Sequence, residues 1–124
     1  MIAACSQAIR PAATKVRAAD IDYLRAKVGA GRSAPDRGRC EQADDSFHLA
    51  VAQVSRNPVL IGFLAYLSGA RRRAVWQREW DRTYRHIGAG EFHGVHSDQH
   101  ERVVDAIATH DPDAALAAMR ETSR

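Results

Sequence analysis

The sequence is short of most features that would announce a function at once. Only two cysteines occur in 124 residues, Cys5 and Cys40, far apart and without CxxC or zinc-finger spacing. That excludes a disulfide framework and a thiolate metal cluster, and both read as reduced thiols. Aromatic residues are 6% of the chain, and the large apolar types Val, Ile, Leu, Met, Phe, Trp and Tyr number 31 against 23 alanines. So lean and alanine-rich a core suits closely approaching helices better than a strand-built sandwich. The longest apolar run, Val59 to Leu67, is broken by Gly62 and falls far short of the roughly 20 residues of a membrane span. MIAACSQAIR lacks the charged segment and long apolar stretch of a signal peptide, so a cytoplasmic location is expected. An excess of one charge is missing too. Sixteen arginines and two lysines face 15 acids, and a net charge of +3 is too small to announce nucleic-acid binding. With 27% charged residues of mixed sign, a wholly disordered chain is excluded, and the length allows one domain.

What is present is helical periodicity, with no sustained two-residue alternation, so the fold class is all-α, a bundle of about six helices. The first covers Ala3 to about Ala19, with Pro11 comfortable only in a first turn or at a kink. Asp20 to Val28 reads as a second helix, and Gly29 to Gly38, GAGRSAPDRG, as the best loop in the chain. A third helix spans about Arg39 to Ser55. Asn57-Pro58 caps a fourth, which runs to about Arg85 with the apolar stripe Leu60, Phe63, Leu64, Leu67, Ala74. After the turn Gly88-Ala89-Gly90, a fifth covers about His93 to Thr109, and Asp111-Pro112 opens a sixth that runs to the end.

The third helix carries polar residues where apolar ones belong. Phe47, Val51 and Val54 define its inward stripe, and the same spacing places Asp44 and His48 on it, while Asp45 points away. A buried carboxylate costs several kcal/mol, in order of magnitude, unless it is paired. Asp44 and His48 are one helical turn apart, which lets an oxygen and a nitrogen converge on one cation. On the fifth helix, Val103, Val104 and Ile107 define an inward stripe that also contains His100. A divalent metal with oxygen and nitrogen ligands is one reading of this pattern, and an Asp-His hydrogen bond without metal is the other. No Ser-His-Asp constellation, phosphate-cradling glycine loop or paired-carboxylate motif stands out, so no enzyme is expected.

The same residues carry a family resemblance. Asp44-Asp45-Ser46-Phe47-His48, followed by LAVAQVSRNPVL, resembles the D-x-x-F-H…N-P-x-L signature of the FCD domain, the effector-sensing half of FadR-type GntR transcription regulators. HERVVDAIATHDPDAALAAM, from His100 to Met119, is similar to that domain's H-x-x-I-x-x-A-I-x-x-G-D-x-x-x-A-x-x-A-M block, and IRPAATKVRAADIDYL is more loosely similar to its opening. The resemblance implies an antiparallel helical bundle whose cavity, in many members, holds a divalent metal, zinc or nickel, through one aspartate and three histidines. Asp44, His48 and His100 match three of them. The fourth histidine would fall 22 residues after His100, where this chain has Thr122, a poor ligand for either metal. His96, one turn before His100, is the alternative fourth ligand.

The resemblance further implies a small organic-acid effector beside the metal, and a homodimer. A buried anion needs cationic donors, and continuing the fourth helix's stripe reaches Arg71 and Arg78, of which Arg71 is the better placed. Trp76 and Trp80 read as cover for the bundle or a subunit contact, and His86, His93 and His110 as helix-end residues. Ser55, Asn57 and Thr122 carry hydroxyl or amide groups able to meet an effector, Asn57 having the simpler role of N-cap. Residues 1–124 are thus expected to be one sensor domain trimmed at its N-terminal edge, Met1 falling inside the family's first helix. The helix-turn-helix DNA-binding module whose operator contact it would control is expected outside this chain. Two other functions compete, a metal-dependent bundle hydrolase and a dimerisation module whose metal site has decayed.

Overall fold

The computed structural model describes residues 2–70 and 89–122, and among them every regular element is a helix. These are α1 (Ile2–Lys15), α2 (Ala18–Arg32), α3 (Arg37–Ser55), α4 (Pro58–Ala70), α5 (Ala89–Ala108) and α6 (Pro112–Glu121). The capping residues lie where their chemistry requires. Asp36 accepts from the Arg39 N–H at 2.8 Å, Asn57 from the Val59 N–H at 3.0 Å, and Asp111 from the Ala114 N–H at 3.0 Å. His110 closes α5 in the left-handed region, φ 57°, with its N–H on the Ile107 carbonyl and the Asp111 N–H on that of Ala106. This is the Schellman pattern, made without glycine.

Helix α3 lies at the centre, packed against α1, α2, α4 and α5, while α6 closes against α1 and α5. The main core joins Ile9, Ala12 and Ala13 of α1 to Leu24 and Val28 of α2, Phe47, Val51 and Val54 of α3, Val103 and Ile107 of α5, and Met119 of α6. Alanines at the α1–α3 contact let the helices approach closely. A smaller cluster gathers Ala8, Ala52 and Leu64.

Several boundaries differ from those the sequence suggests. Helix α1 continues through Pro11 and ends at Lys15, and α2 starts at Ala18, with Asp20 reaching back to accept from the Arg17 N–H at 2.9 Å. The glycine-rich stretch is mostly helix. α2 continues through Gly29 and Gly31 to Arg32, leaving only Ser33–Asp36 as the connection. Two glycines cost about 2 kcal/mol of helix propensity, and tertiary contacts offset it. Arg25 pairs with Glu101 and Asp105, and beyond the glycines Arg32 pairs with Asp98 at 3.0 Å, so α2 is laced along α5. Helix α5 begins at Ala89, so Ala89 and Gly90 are helical instead of forming a turn. On α4, Leu64 is buried as its stripe implies, but Phe63 is half exposed and lies off the inward face. The extension of α4 past Ala70 lies outside the described residues.

Arg56 is a second junction. It sits in the left-handed region, φ 58°, and its guanidinium donates to the carbonyls of Lys15 and Val54, near the C-terminal ends of α1 and α3, and to the Asp20 carboxylate at 2.8 Å. A cation at two helix C-termini complements both dipoles. Burial raises the Asp20 pKa, but the Arg56 hydrogen bond, the Arg17 N–H and the two guanidinium charges outweigh it and hold the carboxyl below its ordinary 3.8.

Two outcomes are expected. Gly29→Ala, where an added Cβ meets nothing within 4 Å, should stabilise the fold by about 1 kcal/mol and raise the melting temperature by roughly 3–6 °C in thermal denaturation. Asp20→Asn should destabilise by about 1 kcal/mol at neutral pH. Because the folded pKa is the lower one, that difference is fully present above 3.8 and closes as pH falls through the folded value below it. Paired urea titrations at pH 7 and pH 3 measure it.

Candidate metal centre

Helix α3 carries Asp44 and His48 one turn apart, and α5 brings His100 to meet them. All three are buried, with side-chain exposures of 5%, 3% and 6%. Asp44 Oδ1 lies 3.3 Å from His48 Nε2 and 3.3 Å from His100 Nε2, so both imidazoles converge on one oxygen. The three donor atoms all lie within 4.8 Å of one another.

Those separations fit a shared cation. Charge-assisted N–H···O bonds run at about 2.7–2.9 Å, shorter than the two contacts observed. Ligands at about 2.0–2.1 Å from a tetrahedral zinc are separated by roughly 3.3–3.4 Å, which both Asp44 contacts match. One carboxylate oxygen and two neutral imidazole nitrogens are also a donor set suited to zinc or nickel. The rings are held in place by aromatic contact. Phe47 stacks on His100 with centroids 4.1 Å apart and planes 14° from parallel, and meets His48 edge-on at 5.6 Å. Phe47 thus does more than fill the core, because it fixes the orientation of the imidazole that α5 contributes.

Among the residues singled out from the sequence, Asp44, His48 and His100 come together. Asp45 corrects the expectation, since it is buried at 5% exposure and does not point away to solvent. Helix α3 is enclosed by four neighbours and has little outer face on which a carboxylate can lie. Thr122 is half-buried, and its hydroxyl donates to the Met119 carbonyl at 2.7 Å. Ser55 donates to the Ala52 carbonyl, and Asn57 caps α4. The backbones of His93 and His96 lie in α5, but their side chains are outside the described residues, as are Arg71, Arg78, Trp76, Trp80 and His86.

Two further buried residues lie one turn from the ligands, Ser97 without a signal in the sequence and Cys40 as one of the two thiols. Ser97, one turn before His100, is buried. Cys40, one turn before Asp44, is also buried, and burial, with the Asp44 and Glu41 charges, pushes its thiol up to about 12. Neutral at physiological pH, it behaves as a small core residue.

Among the described residues, no helix is long and apolar enough to cross a membrane. Comparison with curated proteins gives no match. A family model does match, that of the FCD domain, over residues 6–123. With nearly the whole length covered and a buried Asp/His/His group at its centre, the chain belongs to the FCD family, the C-terminal effector domain of GntR/FadR regulators.

Proposed function

We propose that this domain is a metal-dependent sensor of a small organic acid, and that in a GntR-type regulator it sets the geometry of helix-turn-helix domains on their operator. The observation that carries the reading is the convergence of two buried imidazoles on Asp44 Oδ1 at 3.3 Å each. Asp44, His48 and His100 hold a divalent metal, zinc or nickel. Bound there, the metal supplies a fixed positive charge that attracts a carboxylate into an otherwise apolar interior. His96 is the better fourth ligand, since the Thr122 hydroxyl is turned to its own helix. Arg71 and Arg78, which follow α4 in the sequence, provide guanidinium groups for the effector's carboxylate. A homodimer in the cytoplasm is the natural setting, with sensing, not catalysis, as the output.

Effector control requires two states of the bundle that differ in effector affinity. The ligands lie on α3 and α5, so a metal-bound effector acts on the relative position of these two helices. That position is also set by α2, which packs on both.

Metal analysis of the purified protein should find about one equivalent of zinc or nickel, lost in His48→Ala and His100→Ala variants that still fold by circular dichroism. His96→Ala should weaken metal affinity more than Thr122→Ala, and the opposite order would remove His96 from the ligand set. Phe47→Leu should retain the stoichiometry and lower metal affinity about tenfold, the lower end of the effect of disturbing a group that orients a ligand.

In a thermal-shift screen of small carboxylates, esters and amides, metal-loaded protein should be stabilised by a carboxylate without turnover, and Arg71→Ala should reduce that shift. Ester or amide hydrolysis lost in His48→Ala would favour the bundle hydrolase instead. Metal-free protein, with no response to any carboxylate, would favour a decayed dimerisation module.

A further inference from the structure

Large apolar side chains exposed singly, such as Tyr23 on α2 and Val95 on α5, are ordinary. Helix α4 is different. It has no charged residue from Pro58 to Ala70, and of residues 58–67 only Leu64 is buried. Leu60, Ile61 and Leu67 pack, half-buried, on the small cluster of Leu64 with Ala8 and Ala52. On the outer side, Val59, Phe63 and Tyr66 are 76%, 50% and 71% exposed, and Gly62 is exposed between them. Their positions follow i, i+3, i+4, i+7, the spacing of a second apolar stripe, and a helix that is apolar all round is one that packs all round.

This outer stripe is complementary to itself. Its four residues are symmetric about the point between Gly62 and Phe63. An antiparallel copy of the helix crossing there sets the Phe63 ring of one chain into the Gly62 gap of the other, and Val59 of one beside Tyr66 of the other. A Cβ built at Gly62 meets nothing within 4 Å. No described contact within the chain therefore calls for a glycine, which weakens the helix, whereas close approach of a second helix does. Near a two-fold axis a charged residue would meet its own like, and α4 carries none. Antiparallel helices also set opposite dipole ends together. A helix that lies on an anionic membrane has a polar face rich in lysine and arginine, which α4 lacks. Val59, Phe63 and Tyr66 together expose on the order of 350 Å² per copy, taking 150–250 Å² for each aromatic side chain, roughly half of the ~800 Å² that each partner of a stable complex buries. The stripe has the extent of the apolar centre of such an interface.

We propose that the outer face of α4 is the contact between two copies of this chain, with the two-fold axis passing between Gly62 and Phe63. The proposal rests on the homodimer of the function proposed above and assigns the surface that forms it. It depends on neither the metal nor the effector.

The test is sedimentation equilibrium of the full chain as purified, with its metal content retained. The unchanged protein should be a dimer. Phe63→Glu and Tyr66→Glu should each raise the dissociation constant at least tenfold, with circular dichroism and metal content unchanged. Gly62→Leu should weaken the dimer to a similar degree and leave each copy folded, since the added side chain enters space that is open within one copy. A monomeric unchanged protein would overturn the proposal, whether residues 71–88 or another protein covers the face instead. So would a dimer that Gly62→Leu and Tyr66→Glu leave intact. Metal content and the carboxylate thermal shift, read on the same samples, separate failure of this contact from failure of the sensor reading.

Discussion

The constraint on which this structure turns is the burial of the Asp44 carboxylate with two imidazoles in a core with few large apolar groups to stabilise it. A lone ionised carboxylate in such an interior is strongly unfavourable. Asp44 Oδ1 lies 3.3 Å from two imidazole nitrogens, and a cation shared by the three groups would offset that cost. The convergence also makes α3 and α5 interdependent, because the site exists only when both helices are in register. Phe47 links the polar centre to the apolar one, with one ring face against His100 and membership of the main core.

The helices around this centre are fixed largely by charged clasps at the periphery. Arg25 and Arg32 lace α2 to α5, Arg10 meets Asp113 and ties α1 to α6, and Arg56 gathers the ends of α1 and α3 with the start of α2. Individually such exposed pairs contribute little, about 0–1 kcal/mol. Their role is positional. They leave a lean interior whose helices are held at their edges, an arrangement in which a charge bound at the centre can bias how α3 and α5 sit.

Much of this was legible in the sequence, and the failures have physical causes. The all-α class, the Asn57 and Asp111 caps, and the inward placement of Asp44, His48 and His100 follow from helical spacing and capping chemistry, which are local, while the grouping of the three as one ligand set rests on the family resemblance. Helical periodicity assumes one buried face and so turns Asp45 outward, whereas α3 is enclosed by α1, α2, α4 and α5 and buries it. The glycines at 29 and 31 suggested a loop because their propensity is local, while the ion pair from Arg32 to Asp98 that secures the last turn of α2 is not. Phe63 fits the stripe of α4 by spacing, yet Leu60, Leu64 and Leu67 are enough to cover the small cluster there. The stacking of Phe47 on His100 had no sequence signal, since it joins residues of two helices far apart in the chain.

The most direct measurement of the central claim is X-ray absorption spectroscopy at the metal edge of the purified protein. A first shell of nitrogen and oxygen at about 2.0–2.1 Å, with the outer-shell scattering of two or three imidazoles and no sulfur, is the expected result. A sulfur shell near 2.3 Å, or a spectrum of freely hydrated ion unchanged by His100→Ala, would contradict it.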